Sequence, residues 1–367
     1  MLREEKFQTE LLTFSEGGKM FQVRRSVLSA ERESYVKKVK NEIKLDCSLG
    51  TNPFGFPSIK INLSGIDISK YPDPYNSELR EAIANYWDIS ENEIFIGAGS
   101  MGCLEKINKF AITDGTKVFG YAPQFSEYIT EVKIMGGKYE YILLKKEKNF
   151  KFDPMKFLAK VGENYSVIYI DNPNNPTGQV IPLDIIEDII KKTKGIVIVD
   201  EAYGDFMEDR NSAINLEYDN LIVVRSFSKG FGLANLRVGY VVIKGKELKK
   251  LYEKVNPPFQ ISSIAEKFAI EALRHEEFVK ESRKKIRMEK EKLMKGLERL
   301  GFNVAETHME VPIFLLCKEG VNLYEWLLKK GILTVNGRDF IGLDESCVRV
   351  RIPPKAEIFM DFLFSES

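Results

Sequence analysis

The sequence predicts an α/β protein with a mostly parallel sheet of seven strands, followed by a smaller α+β domain. Several strand-like runs are continuously apolar, which is typical of strands buried on both faces of a parallel sheet. Helix-like segments at 101–112, 125–135 and 182–193 alternate with these runs, and this alternation favours parallel strands with flanking helices. The predicted strands are Glu93–Ile96, Lys117–Tyr121, Tyr139–Leu144, Val167–Asp171, Ile196–Val199, Leu221–Val224 and Val238–Ile243.

The first helix after the turn-rich N-terminal stretch is predicted from its cap and its apolar spacing. Asn76 can cap a helix whose buried face carries Leu79 and Ile83, because these positions lie on one side of a helix. Pro182 near the first turn opens the later helix at 182–193.

The pattern changes after Pro257-Pro258, where long helix-like stretches are followed by three short strands around one helix. We therefore predict a large ligand-binding domain over residues 49–255 and a small α+β domain over residues 256–367. Residues 1–48 are predicted to form an N-terminal arm and a charged helix, parts of which join the small domain.

Charge and composition argue against several classes of protein. Lys+Arg and Asp+Glu both number 54 among 367 residues, so we expect neither nucleic acid nor an anionic membrane as a partner. No apolar run is long enough to span a bilayer, and the charged N-terminus resembles no signal peptide. The four cysteines have no metal-site spacing; we expect no metal and a cytoplasmic location.

A lysine follows the sixth predicted strand, Leu221–Val224. Poor solvation of Lys229 would disfavour its charged form and leave a nucleophilic amine suited to a Schiff base with an aldehyde cofactor. A surface lysine in a loop is the alternative. Asn175, Asp200 and Tyr203 favour the functional interpretation, because they follow two other strands and the carboxyl ends of parallel strands meet at one edge of a sheet.

Gly97-Ala98-Gly99-Ser100-Met101-Gly102 follows a strand, opens a helix and formally matches the GxGxxG motif. We reject a nicotinamide cofactor because no acidic residue ends the next strand, and we reject an ATPase because GxxxxGK[ST] is absent. Free backbone N–H groups at the helix start would suit one phosphate, although a tight turn explains the glycines equally well. Ser226, Ser228 and Arg237 could complete a phosphate clamp.

Three further positions could hold other parts of a ligand. Asp200 could pair with a buried cation such as a protonated pyridine nitrogen, and Tyr203 could reach the same ligand; a helix cap is the alternative for Asp200. The prolines around Asn175 would hold its amide in place, unless the segment is a plain turn. Arg349 and Arg351 alternate along one strand and could capture a substrate carboxylate or lie on a solvated face.

Together these motifs resemble the fold-type-I aminotransferases that depend on pyridoxal phosphate. The motifs are Asn175-Pro176-Thr177-Gly178, Asp200-Glu201-Ala202-Tyr203 and Ser226-Phe227-Ser228-Lys229, with Arg237 eight residues further on. Thr51-Asn52-Pro53-Phe54-Gly55 and Tyr71-Pro72-Asp73-Pro74 look like the histidinol-phosphate aminotransferase branch. Ala122-Pro123-Gln124-Phe125-Ser126-Glu127-Tyr128 is more similar to the related threonine-phosphate decarboxylases, so the substrate stays open.

The resemblance implies a role for each motif residue. Lys229 would hold pyridoxal phosphate and act as general base and acid, Asp200 would keep the pyridine nitrogen protonated, and Phe125 would stack on the ring. Asn175 and Tyr203 would bind the phenolic oxygen. The phosphate contacts would come from Gly99, Ser100, Met101, Ser226, Ser228, Arg237 and, across a homodimer interface, Tyr71. The substrate contacts would come from Arg349, Arg338 and Asn52.

The resemblance also implies the activity. We expect transfer of an amino group between an L-amino acid, or an amino phosphate such as histidinol phosphate, and a 2-oxo acid. One alternative is decarboxylation of a phosphorylated amino acid on the same cofactor. Another is a non-catalytic binding protein, which the intact Lys229, Asp200 and Arg237 argue against. Met101-Gly102 departs from the many relatives with an acidic residue there, and the N-terminal arm is longer than the resemblance implies.

Overall fold

The computed structural model describes residues 11–16, 19–30, 39–162 and 164–364. In chain order its strands and helices are β1 (Leu11–Glu16), β2 (Lys19–Arg24), α1 (Arg25–Ser29), β3 (Leu45–Asp46), α2 (Ser77–Trp87), β4 (Ile94–Ala98), α3 (Gly99–Ala111), β5 (Lys117–Ala122), α4 (Ser126–Ile134), β6 (Lys138–Leu143), α5 (Pro154–Lys160), β7 (Val167–Asp171), α6 (Leu183–Lys192), β8 (Ile196–Glu201), β9 (Leu221–Ser226), β10 (Val238–Ile243), α7 (Lys246–Val255), α8 (Ser263–Leu273), α9 (Glu276–Arg299), β11 (Asn303–Val304), β12 (Ile313–Cys317), α10 (Leu323–Lys329), β13 (Ile332–Leu333), β14 (Val335–Asn336), β15 (Cys347–Arg351) and α11 (Ala356–Phe364).

Seven strands form the central sheet, in the order β4-β10-β9-β8-β7-β5-β6. The five strands from β9 to β6 are parallel, whereas β10 runs antiparallel to both β9 and β4. The prediction of a mostly parallel seven-stranded sheet is confirmed, and each predicted strand overlaps an observed one. Asp171 on β7 pairs directly with Asp200 on β8, so the carboxyl ends of these strands form one edge.

Alternate side chains of the central strands pack into two apolar clusters, one on each face of the sheet. On β9, Ile222 and Val224 belong to the cluster that contains Ile107 of α3. Val223, between them, belongs to the opposite cluster, with Ile83 of α2. All six residues of β9 are buried, because helices cover both faces, and this burial explains why the strands read as continuous apolar runs.

A second sheet of four antiparallel strands follows, in the order β11-β12-β15-β14. Its apolar face packs against α9, α10 and α11 in a third cluster. The short strand β3 pairs with β13, so the segment just before residue 48 joins the C-terminal part of the chain. The division into domains over 49–255 and 256–367 stays a prediction.

The N-terminal arm contains an element that the sequence did not reveal. β1 and β2 pair as an antiparallel hairpin, whereas residues 1–25 showed no clear period. α1 follows and packs on α4, where the Ser26 hydroxyl donates to the Ile134 carbonyl at 2.8 Å. The predicted charged helix over 26–41 is observed only as α1, and residues 31–38 lie outside the described residues.

Two cysteines that are far apart in the sequence meet across the second sheet. Cys317 on β12 and Cys347 on β15 are direct register partners and form a disulfide. Cys47 and Cys103 are free and buried. The spacing of the cysteines in the sequence did not reveal this pairing.

Candidate active site

A cavity of about 390 Å³ opens at the carboxyl edge of the central sheet, where segment 48–51 and β15 complete its walls. Most of the predicted site residues line it. They are Ser100, Met101, Phe125, Asn175, Asp200, Tyr203, Ser226, Ser228, Lys229, Arg237 and Arg349. Residues at or after the ends of β4, β5, β7, β8 and β9 therefore converge on one space, and Arg349 of β15 joins them. This agrees with the rule that ligands bind beyond the carboxyl ends of the strands in such sheets.

Asp200 is a buried carboxylate at the end of β8, with 3% of its surface exposed. Its Oδ2 accepts the Tyr169 hydroxyl at 2.9 Å and its Oδ1 accepts the Ala202 N–H at 3.0 Å. Burial and, to a lesser degree, the charge of Asp171 raise the pKa of Asp200 to about 7, although the hydrogen bonds from Tyr169 and Ala202 and the charge of Lys229 lower it in part. A cation bound beside Asp200 would favour its ionised form.

Lys229 and Tyr203 face each other across the cavity. The Lys229 Nζ atom lies 5.2 Å from the centre of the Tyr203 ring, and Lys229 itself is half-buried. The Tyr203 hydroxyl is buried and has no hydrogen-bond partner within the described ranges. Such an orphaned polar atom indicates a missing ligand atom. Gly50 allows this arrangement, since a Cβ there would lie 1.8 Å from the Tyr203 hydroxyl oxygen.

A cluster of donors lies where β9 ends and α3 begins. The Arg237 guanidinium donates to the Ser228 hydroxyl at 3.3 Å, and the Ser228 N–H donates to the Ser226 hydroxyl at 3.1 Å. Gly99, at φ +73°, starts α3 beside them, and a Cβ there would lie 2.4 Å from Arg237 Nη2. A guanidinium, two hydroxyls and a helix N-terminus together suit a phosphate dianion.

Arg349 of β15 also lines the cavity and is 2% exposed. Its Nη1 donates to the Asn175 side-chain oxygen at 3.0 Å, and its Nη2 contacts the Ser48 carbonyl oxygen. Arg351, two residues along β15, instead donates to the Asp46 carbonyl at 2.5 Å and does not line the cavity. Of the two arginines, Arg349 is placed to meet a carboxylate in the cavity.

Four predicted residues do not line the cavity in this chain. Gly99 and Asn52 lie directly behind its wall, and the Asn52 side chain donates to the Gly230 carbonyl at 2.8 Å, which supports the lysine loop. Tyr71 is 84% exposed and its ring packs on Phe259. Arg338 forms a surface ion pair with Glu345 at 2.8 Å.

Comparison with known proteins identifies the family. The aminotransferase class I and II family model matches residues 40–358. The chain belongs to this family. A histidinol-phosphate aminotransferase from Methanosphaera stadtmanae is 30% identical over 342 residues, which cover 90% of each chain. The resemblance that the sequence motifs carried is therefore confirmed.

Solved structures agree on the fold of this aminotransferase. The histidinol-phosphate aminotransferase from Clostridium acetobutylicum superimposes with a TM-score of 0.77 at 27% identity, covering 87% of this chain and 97% of that one. The enzyme from Sinorhizobium meliloti, solved in complex with pyridoxal phosphate, has a TM-score of 0.76 at 24% identity and covers 88% and 89%. The predicted fold-type-I architecture is confirmed.

Membership of the aminotransferase class I and II family supports pyridoxal phosphate as the cofactor. The site fits that molecule at three points. The donors around Arg237 suit its phosphate, the orphaned Tyr203 hydroxyl suits its phenolic oxygen, and the buried carboxyl group of Asp200 suits its protonated ring nitrogen.

Two residues that contact the predicted site residues were absent from the sequence-based candidates. Asp171 lines the cavity, and Tyr169 donates its hydroxyl to Asp200. The only sequence signal for Tyr169 is a polar-tipped residue within an apolar strand. Asp171 ended its strand as Asp200 does, but its partners come from segments that are distant in the sequence.

Proposed function

We propose that this aminotransferase moves an amino group between an L-amino acid, or an amino phosphate such as histidinol phosphate, and a 2-oxo acid. The observation that carries this proposal is the grouping of four chemical functions around one cavity. An amine (Lys229), an acid (Asp200), a dianion clamp around Arg237 and a carboxylate-binding guanidinium (Arg349) all line it. The matched relatives that are named histidinol-phosphate aminotransferases support the amino-phosphate class.

Each residue has a distinct task in the proposal. Bound pyridoxal phosphate supplies an electron sink for charge that develops at the substrate carbon. Asp200 holds a proton on the ring nitrogen, and Lys229 moves a proton at the substrate carbon. Tyr203 and Asn175 bind the phenolic oxygen, and Phe125 covers one face of the ring. Arg349 orients the substrate by its carboxylate.

The proposal includes a homodimer in which Tyr71 reaches the phosphate site of the partner subunit. Tyr71, Ile68 and Tyr75 are 84%, 86% and 61% exposed, and Tyr71 packs on the half-exposed Phe259 ring at 4.9 Å. Clustered exposed apolar side chains of this kind mark interaction surfaces. Light scattering should give twice the mass of one chain, and a monomer with full cofactor affinity would contradict this part.

The test of the reaction is the absorption spectrum of the purified protein with pyridoxal phosphate, recorded before and after single amino donors are added. We expect the yellow protein to bleach with one donor, such as histidinol phosphate, and to recover with a 2-oxo acid. Carbon dioxide release with O-phosphothreonine and no bleaching would assign the decarboxylase alternative, which the Phe125 segment favours. A protein that stays colourless would overturn the proposal.

Lys229→Ala is the matched variant for this test. It should abolish turnover while the apoprotein keeps its unfolding midpoint, because Lys229 is half-buried at a cavity wall and supports no ion pair among the described residues. Lys250→Ala, on the exposed face of α7, is the control and should keep full activity. Near wild-type transamination by Lys229→Ala would refute the assigned role.

We propose a cytoplasmic location from the sequence, and the disulfide provides its test. In the described part of the chain no helix is both long and apolar enough to cross a membrane. Because both side chains are buried, cells should be lysed directly into denaturant that contains an alkylating reagent; the reagent should label Cys317 and Cys347 if the protein resides in a reducing compartment. A disulfide that is fully formed in the cell would place the enzyme elsewhere.

A further inference from the structure

We propose that Asp171 is a positioning residue, whose ionised carboxylate fixes Phe125 and Asn175 in one frame around the cofactor ring. This inference rests on the proposed function, since the ring is that of pyridoxal phosphate. Neither the sequence motifs nor the family comparison assigned a role to Asp171. Its role follows from four hydrogen bonds that converge on its side chain.

The Asp171 carboxylate is 3% exposed and lies at the carboxyl end of β7. Its Oδ1 accepts the Tyr121 hydroxyl at 2.9 Å and the Asn174 amide at 3.0 Å. Its Oδ2 accepts the backbone N–H groups of Phe125 at 3.3 Å and of Asn175 at 3.0 Å. Each carboxylate oxygen therefore receives two hydrogen bonds.

Three of the four partners, the Asn174 amide and the two backbone N–H groups, can only donate, whereas the Tyr121 hydroxyl shares its one hydrogen between Asp171 Oδ1 and the Asp171 carbonyl oxygen. An ionised carboxylate only accepts hydrogen bonds and has about four acceptor positions. At Oδ2, a proton or an amide NH₂ group would face two backbone N–H donors. Burial raises the pKa of Asp171, whereas the bonds from Asn174, Asn175 and Tyr121 lower it. The donor set is thus complementary to the charged form.

One oxygen atom joins the two segments that border the ring. Phe125 directly precedes α4, and Asn175 lies in the loop that follows β7. Because Asp171 Oδ2 binds both backbones, a change at this atom displaces both residues together. Asn175 in turn accepts Arg349 at 3.0 Å, so the same frame extends to the substrate guanidinium.

Second contacts hold the carboxylate itself in place. The Asn174 amide also donates to the Pro123 carbonyl at 3.2 Å, and its oxygen accepts the Thr177 N–H at 3.1 Å. The Tyr121 hydroxyl also lies 2.9 Å from the Asp171 carbonyl oxygen. These contacts leave the carboxylate little rotational freedom, which a positioning role requires.

Asp171→Asn tests the inference because it keeps the shape of the side chain and removes its charge. Its NH₂ group would face either the Tyr121 hydroxyl and the Asn174 amide or the two backbone N–H groups, so at least one buried donor loses its acceptor. We expect the dissociation constant of pyridoxal phosphate to rise at least about tenfold, a typical effect of an unsatisfied buried donor. We also expect a weaker visible circular dichroism signal per bound cofactor, since that signal reports how the ring is held.

Tyr139→Phe is the matched control. It removes a part-buried hydroxyl that contacts Gln124, and it leaves the hydrogen bonds from Tyr121, Asn174, Phe125 and Asn175 to Asp171 in place. Both variants should lose thermal stability as apoproteins, but only Asp171→Asn should lose cofactor affinity and the dichroism signal. Equal affinity and equal dichroism in Asp171→Asn and Tyr139→Phe would overturn the inference.

Asp171→Ser is the second variant, in case the amide prevents folding. Its hydroxyl can accept one backbone N–H, but it cannot bridge Phe125 and Asn175, so its cofactor affinity should also fall. Wild-type affinity in a folded Asp171→Ser protein would refute the positioning role. The wild-type protein distinguishes the positioning role of Asp171 from the proposed function. Failure of the wild type to bind pyridoxal phosphate would refute the proposed function itself.

Discussion

Asp200 gives a stability prediction that needs no substrate. In the apoprotein its folded-state pKa is about 7, against 3.8 as its ordinary value. Between about pH 4 and about pH 7 the unfolded chain therefore carries an ionised Asp200 while the folded chain keeps it protonated. The folded state binds more protons in this window, so the free energy of unfolding contributed by Asp200 falls as the pH rises.

The size of the effect follows from the same values. The interval from 3.8 to about 7 corresponds to about 4 kcal/mol, at about 1.4 kcal/mol for each pH unit. This figure is an upper bound because relaxation and water entry around the ionised group reduce it. Asp200→Asn removes the titrating group, so its apoprotein should lose this part of the pH dependence.

The assay is urea unfolding of apoproteins at pH 5 and pH 8. The wild type should lose more stability between these two values than Asp200→Asn does, by about 1–3 kcal/mol, because only the interval from pH 5 to about pH 7 contributes. Glu298→Gln is the control, because that side chain is exposed on α9 and should leave the pH dependence of the wild type unchanged. Equal slopes for the wild type and Asp200→Asn would refute the reasoning. Added pyridoxal phosphate should restore the stability at pH 8, since its ring cation pairs with the carboxylate.

Two further substitutions test the buried ion pairs of Arg225 and the proposed binding of the substrate carboxylate by Arg349. The Arg225 side chain is 3% exposed and forms ion pairs with Glu201 at 2.9 Å and Asp205 at 2.6 Å. Because Arg225→Met leaves both carboxylates without their cation, it should lower the free energy of unfolding by about 3–5 kcal/mol. The exposed pair of Arg274 provides the control, Arg274→Met, with a loss below about 1 kcal/mol, and similar losses in both would contradict the argument. Arg349→Lys should raise the KM for the amino donor at least about tenfold, because lysine cannot bind a carboxylate bidentately. Arg351→Lys should leave KM nearly unchanged in steady-state assays, and the same KM in both variants would remove Arg349 from the substrate site.

The sequence predicted the central sheet because most of its strands, such as β7, β9 and β10, are buried on both faces and therefore carry their own local signal. The hairpin β1–β2 and the Cys317–Cys347 disulfide lacked such a signal. Both depend on the register between two strands, and neither composition nor spacing reports a register. Only the structure shows that two cysteines thirty residues apart occupy facing positions.

The same distinction applies to the site. Asp200 and Lys229 were predictable because a polar residue directly after a buried strand lies at the ligand-binding edge of a parallel sheet. Asp171 met that criterion too, but its function depends on Tyr121, Phe125 and Asn175, which reach it from three segments. The sequence placed the residue at the edge and could not supply the four donors that define its role.

The antiparallel strand β10 explains why the donor cluster around Arg237 lies at the same edge of the sheet as Lys229. A parallel strand in this position would begin at the far edge of the sheet. Because β10 runs antiparallel to β9 and β4, its first residue, Val238, pairs with Ala98 at the end of β4, and Gly239 pairs with Ser226 at the end of β9. Arg237, just before β10, therefore meets both the end of β9 and the start of α3. The reversed direction of β10 therefore brings Arg237 to Ser226 and Ser228. It also explains why only a short segment connects Lys229 to Arg237.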